Sequence, residues 1–237
     1  ETELLLADLE SVERRVNQTS KKASGGDVDA KRMMPAIRKI LEGLNDGIPV
    51  SRMELDMGEQ DVVAQFGLLT AKPVLYVCNT EEGNARNGNI YCAQIKEKAR
   101  AEGRSVVTLC AAMESEISTL DKEEDRRDYL EAVGLSQSGL DQVIREGYAL
   151  LGLLTFFTTG PKETHAWTLR RGATAPEAAG RIHTDMERGF IRAEVIGYDE
   201  YVIAGSEAGA RTSGKMRSEG KDYLVQDGDI LLIRFNV

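Results

Sequence analysis

At 237 residues with 41% hydrophobic content, the chain can bury one large core or two to three small ones. Its formal net charge of -9 excludes a general nucleic-acid coat and a polybasic membrane binder, but leaves room for a local basic face. Most of that acidity lies in the first 150 residues, with 19 Lys and Arg against 27 Asp and Glu. Cys78, Cys92 and Cys110 form no C-x-x-C pair, and with only His165 and His183 in the chain a zinc cluster is not expected. Three scattered thiols suit a reducing, cytoplasmic setting. No apolar run approaches the ~18 to 20 residues that span a bilayer. Opening in mid-helix pattern at "ETELLLADLE", without Met, the sequence reads as a fragment or trimmed product.

Leu5, Leu9, Val12, Val16, Thr19 and Ala23 recur at spacings of four and three, the seam of a long helix that packs on one partner. "SGGD" breaks it, and Asp27 can cap a second helix whose Met33, Ile37, Ile40 and Leu44 repeat the spacing. Residues 1 to about 46 therefore predict an antiparallel helical hairpin, with Pro35 expected to kink or delay the second helix. Such an arm either stiffens the molecule or docks a partner. "NDGIPVSRMELDMGEQ" predicts a loop, and "DVVAQFGLLTA" a short helix with Val62, Val63, Phe66 and Leu69 inward.

"KPVLYVCN" is a near-continuous apolar run ending in a polar residue, the pattern of a buried parallel strand that delivers a functional loop at its carboxyl end. An amphipathic helix closed by Gly103 and a second buried strand, "SVVTLCAA", complete a crossover unit. Two helical stretches follow, to about Gly152. "LLTFFTTG" and "ETHAWTLRRG" then predict strands around a Gly-Pro turn, "TAPEAAGRIHTDMERG" a helix, and "FIRAEVIGYDEYV" and "KDYLVQDGDILLIRFNV" further strands. Thr174 and Glu177 form a capping box with Pro176 in the first turn. Hairpin, helix and strands make a small α+β domain of the β-grasp kind.

"GARTSGKM", residues 209–216, meets the phosphate-loop spacing at Gly209, Gly214 and Lys215, but Met216 replaces the hydroxyl that ligates magnesium. Gly220 cuts short any helix after it, and too little chain remains to build the sheet, so the match reads as coincidence. "VLYVCNTEEG" is the better nucleotide signal. In GTP-binding proteins the equivalent strand ends in N-K-x-D, whose Asp accepts two hydrogen bonds from guanine. Here N-x-x-E stands at Asn79 and Glu82, with Thr80 replacing the Lys that covers the base. The extra methylene moves the carboxylate and removes guanine's advantage. One crossover later, Cys110, Ala111 and Ala112 stand where a small-residue loop would close over the base with backbone amides.

His183 reads as a structural histidine closing a helix rather than a general base, and Trp167 as core rather than a stacking platform. Lys162, Arg170, Arg171, Arg181, Arg188 and Arg192 crowd one stretch, six cations against four carboxylates at Glu163, Glu177, Asp185 and Glu187, as contact with RNA phosphates would need.

"KPVLYVCNTEEG", "CAAMESEI", "FFTTGPKETHAWTLRRGATAPEAAGRIHTDMERGFIRAEVI" and "GKMRSEGKDYLVQDGD" together resemble the YchF subfamily of Obg-like ATPases, over the whole chain from Glu1 to Val237. The resemblance implies an α/β and α+β protein. Its parts would be a helical coiled-coil hairpin insertion (residues 1–70), the C-terminal part of a P-loop parallel-sheet domain (71–150) and a β-grasp TGS domain (151–237). It further implies ATP bound with Mg2+ in preference to GTP and hydrolysed slowly, and association with the ribosome and its rRNA, with no membrane or DNA partner. The base would be held by Asn79, Thr80, Glu82 and the loop Cys110, Ala111 and Ala112. The family's phosphate loop, switches and D-x-x-G would precede Glu1, so these residues alone are expected not to hydrolyse ATP. The alternatives are a non-catalytic ribosome- or protein-binding adaptor and an Obg-type GTPase.

Overall fold

A computed structural model describes residues 1–160 and 163–236. The chain packs as two units, Glu1–Val74 and Leu75–Val237.

In the first unit, α1 (Thr2–Ser24) and α2 (Val28–Asn45) form the expected hairpin, and the Asp27 side chain caps α2 by accepting from the Ala30 N–H at 2.9 Å. Val12 on α1 and Ile37, Ile40 and Leu44 on α2 are buried at its seam, flanked by Leu5, Leu9 and Val16. The delay allowed for at Pro35 does not occur, because α2 starts at Val28 and continues through the proline. The proline removes one backbone donor, but Met34, Ala36 and Ile37 beside it are buried in the same cluster, and that packing carries the helix across the gap. The segment read as a loop up to Gln60 already contains the start of α3 (Met57–Phe66), which Asp56 and Glu59 open with a capping box. Gly67 closes α3 at φ 63°, where a side chain would be strained. Val62 is buried as expected, but Leu69 is not inward. It begins a 3-10 turn (Leu69–Ala71) and is exposed, because the backbone there serves Asp8.

Asp8 is a buried carboxylate with its acceptor capacity used. Its Oδ1 accepts from the Leu69 N–H, and its Oδ2 from the N–H and Oγ1–H of Thr70, each at 2.7 Å. Thr70 Oγ1 in turn accepts from the Val50 N–H at 3.1 Å. One charge on α1 thereby closes the base of the hairpin. Arg15 reinforces it, donating to the Phe66 carbonyl at 3.1 Å and lying 4.3 Å from that ring's centre.

The second unit opens with β1 (Leu75–Asn79), α4 (Ile90–Glu102) and β2 (Ser105–Leu109), a crossover whose strands pair in parallel from Leu75 with Ser105 to Asn79 with Leu109. Among the described residues this sheet has two strands, so β1 is half-buried rather than fully buried, and Val77 is 48% exposed. Where the second strand was expected to run on through Ala112, it ends at Leu109, and α5 (Ala111–Ser118) takes up the two alanines. Then come α6 (Glu123–Ala132) and α7 (Gly139–Leu150), the latter capped by Ser138.

β3 (Leu153–Thr159) and β4 (Thr164–Arg170) form an antiparallel hairpin. The single helix expected after it is two, α8 (Ala175–Ile182) and α9 (Thr184–Arg188), because His183 is extended between them at φ -160°, ψ 140°. β5 (Phe190–Ile196) is a strand, but the residues after Gly197, read as more strand, form α10 (Tyr198–Ala204), followed by α11 (Glu207–Thr212). β6 (Arg217–Glu219) and β7 (Ile230–Phe235) complete a five-stranded mixed sheet of order β4-β3-β7-β5-β6, in which β3 and β7 run parallel. Ala175, Ala178 and Ala179 of α8 bury against Leu154, Phe156, Val195 and Leu231 to form its core. A smaller cluster joins Ile196, Ala210 and Ile230 to Tyr201 and Met216.

Candidate nucleotide-binding site and basic face

The parallel strands of the second unit end in two loops tied to each other. Thr80, one residue past β1, donates its N–H to the Leu109 carbonyl at 2.8 Å and its hydroxyl to the same oxygen at 3.1 Å. Asn79 Oδ1 accepts from the Ala111 N–H at 3.0 Å. Because Cys110 offers α5 no side-chain cap, Asn79 supplies that acceptor from the neighbouring strand. The Ala111 amide is therefore spent on Asn79. Helical geometry leaves the Ala112 amide without an intrahelical acceptor at the mouth of the loop.

α5 is itself anchored. Glu114 accepts from the Gly139 N–H at 2.7 Å and the Leu140 N–H at 3.1 Å, where a carboxylate offsets the positive end of α7. Gly139 packs so closely on β2 that a Cβ there would lie 2.4 Å from Leu109 Cβ. Tyr129 donates to Glu116 at 2.6 Å, and that bond, with burial and the Glu116 and Glu82 charges behind it, pushes the phenol up to about 12. The loop after β2 thus rests on three helices.

Asn79, Thr80, Glu81, Glu82, Gly83, Cys110 and Ala112 line an open depression of about 500 Å³. It gathers the residues of the N-x-x-E stretch and the small-residue loop, Glu82 entering it from a 3-10 turn (Glu82–Asn84). With its carbonyl oxygen held by Ala111, Asn79 keeps its NH2 end as a donor. Thr80 turns its hydroxyl to the strand and away from the role of a base cover. No group of three His, Cys, Asp or Glu side chains among the described residues could hold a metal ion.

The described cations of the basic stretch sit on several elements. Lys162 lies outside the described residues. Arg170 ends β4, and Arg171 in the following turn donates its N–H to the Gly152 carbonyl at 2.7 Å. Arg181 on α8 donates to the Thr168 carbonyl at 3.2 Å, and Arg188 on α9 pairs with Asp185. Arg192 on β5 alone joins a dense cluster, with Arg211 of α11 and Arg234 of β7 around the buried carboxylate of Glu194. Sequence reading missed Arg211 and Arg234. The signals for them were a Glu inside the apolar run of β5 and an Arg inside that of β7, in "RAEVI" and "LLIRF".

The remaining candidates keep structural roles. In "GARTSGKM" the helix α11 precedes Gly214 instead of following it, Lys215 pairs with Glu200 at 3.3 Å, and Met216 packs into the smaller cluster. His183 accepts from the Asp185 N–H through Nδ1 at 3.1 Å and so caps α9. Trp167 packs against the β-grasp core and donates Nε1–H to Thr158 at 2.9 Å.

A helical hairpin, a parallel βαβ unit whose loops share an Asn tether, and a five-stranded mixed sheet define the class: an α/β and α+β protein. Residues 153–236 match the YchF-GTPase C-terminal family, described as "Protein of unknown function (DUF933)". The chain is 48% identical over 236 residues to the "Ribosome-binding ATPase YchF" of Pasteurella multocida, covering 100% of this chain and 64% of that protein. It is 46% identical over 237 residues to the protein of the same name in Bacillus subtilis, at 99% and 64% coverage. The solved structure of the Schizosaccharomyces pombe YchF GTPase superposes with a TM-score of 0.81 at 30% identity, covering 98% of this chain and 64% of that one. The chain resembles YchF proteins along its whole length and spans about 64% of the length of the curated relatives it matches.

Proposed function

We propose that this chain is the base-recognising and partner-binding portion of a ribosome-associated ATPase. Its three segments would be a helical insertion (residues 1–70), the C-terminal part of a nucleotide-binding domain (71–150) and a TGS domain (151–237). The observation that carries the reading is the Asn79 to Ala111 tether, which joins the strand-end loop to the small-residue loop around one depression. An Asn NH2 suits the N7 acceptor that adenine and guanine share, so it does not choose between them. Selection falls to Glu82, whose longer side chain disfavours the paired donors of guanine. The names of the bacterial relatives support ATP and the ribosome as partners, and a cytoplasmic location follows from the latter. Phosphate and Mg2+ contacts, and hydrolysis itself, fall in this reading to family segments that these residues do not supply.

The Schizosaccharomyces pombe relative is named a GTPase, which favours a second reading in which GTP is the preferred nucleotide. Titration of the full-length protein with ATP and GTP separates the two. The wild type should prefer ATP, and Glu82→Asp with Thr80→Lys should move the preference towards GTP by about tenfold, the order expected from about 1.4 kcal/mol of gained contact. A wild type that favours GTP supports the second reading, and an unchanged preference in the double variant removes Glu82 from base recognition.

A further inference from the structure

The Arg192, Arg211 and Arg234 cluster is more cationic than its structural task requires. Its centre, Glu194, is 6% exposed in β5. Arg234 donates to Oε2 at 2.9 Å and Arg211 to the same oxygen at 3.0 Å, while Arg192 reaches Oε1 at 3.5 Å. One Arg in fork geometry would neutralise a carboxylate. Here three guanidinium groups, drawn from β5, α11 and β7, converge on one negative charge and leave a local excess of +2 in a chain of net charge -9.

The geometry also leaves the cluster free to bind. Each Arg uses one terminal nitrogen on Glu194, and a guanidinium carries five N–H donors. The three side chains remain 52%, 59% and 51% exposed. Arg192 and Arg234 are direct partners in the β5–β7 register, so both are set by the sheet. The donating nitrogens of Arg211 and Arg234 share one oxygen, which keeps them within about 6 Å of each other, close enough for one phosphate to bridge. The buried carboxylate thus orders three flexible side chains in advance and reduces the entropy lost on binding.

We infer that Arg192, Arg211 and Arg234 form a contact site for the phosphate backbone of RNA, and that this is the face of the β-grasp sheet that meets ribosomal RNA. The inference rests on the ribosome-binding reading and names a surface for it. Arginines held against a buried acid favour bidentate phosphate contact. A lipid surface is the poorer fit, since electrostatic membrane binding takes clusters of about four to eight cations.

The test is cosedimentation of the full-length protein with purified ribosomes across a salt series, with parallel runs on anionic phosphatidylserine vesicles. Arg211→Gln with Arg234→Gln keeps polar side chains and removes two charges. It should weaken ribosome binding at least tenfold and flatten the log K against log salt slope by about 1 to 2. Glu194→Gln, which removes the neutralising charge, should steepen the log K against log salt slope, a change opposite in sign to that of the Arg double variant. The inference is overturned if the wild type binds ribosomes and the Arg double variant matches it in affinity and slope. Failure of the wild type to bind ribosomes removes the parent reading and this one with it, and charge-dependent binding to vesicles alone assigns the cluster to lipid.

Discussion

Single side chains fix the geometry of both units by spending charge on backbone amides. Asp8 is the strongest case, because Leu69 and Thr70 donate to a carboxylate that water does not reach. Asp8→Ala leaves those part-buried donors without their acceptor, and should lower the stability of the helical unit by about 1–3 kcal/mol, read from urea unfolding followed by circular dichroism. Glu194 predicts a pH effect. Its hydrogen bond to Arg234 holds its carboxyl below the ordinary range, against the opposing effect of burial and with help from the Arg234 and Arg211 charges. A carboxylate with a lowered folded pKa contributes stability that is complete above its unfolded value of about 4.3 and is lost as pH falls through the folded one. Acid unfolding between pH 5 and 2, limits chosen as about that range, should therefore be shallower in Glu194→Gln than in the wild type. Equal acid limbs would show that the cluster gives no such stabilisation.

At the scale of elements, close contact decides more than propensity. α7 begins with Gly139 because Leu109 of β2 and the Glu114 carboxylate occupy the space of a Cβ. Gly139→Ala should push α7 off the sheet at a cost of about 1–3 kcal/mol, seen as a lower melting temperature. An unchanged melt would mean that the contact relaxes freely. The same scale explains what the sequence disclosed. The hairpin is legible because its seam repeats in register and Asp27 marks a start, and α8 because Thr174 and Glu177 are three apart. Glu177 accepts the Thr174 N–H at 2.7 Å, as that spacing implies. α5 and α10 escape a sequence reading because eight and seven residues carry little periodicity, and Tyr, Val and Ile in α10 favour a strand. Asp56 and Glu59 do carry a start signal for α3, inside a stretch whose Gly and Pro content argues for a loop. At the site, Asn79 and Glu82 are legible as a local motif, whereas Arg192, Arg211 and Arg234 meet across more than forty positions, and only the fold brings them together.

For the whole molecule, the sheet β1–β2 has consequences for behaviour in solution. Among the described residues neither strand has a further partner, and Val77 offers an apolar side chain at the surface. Such edges invite pairing with another chain. What opposes this is repulsion between copies, and the acidic balance of the first 150 residues supplies it at neutral pH. That protection fades as carboxylates gain protons. Light scattering of this chain should rise as pH falls from 7 towards the range of carboxylate titration, about 4 to 5. Val77→Lys should suppress the rise, and identical scattering in the two proteins would place the sticky surface elsewhere. The strand that ends in Asn79 is then also one whose edge invites a neighbour. The edge that invites association and Asn79 of the candidate depression thus belong to one five-residue strand.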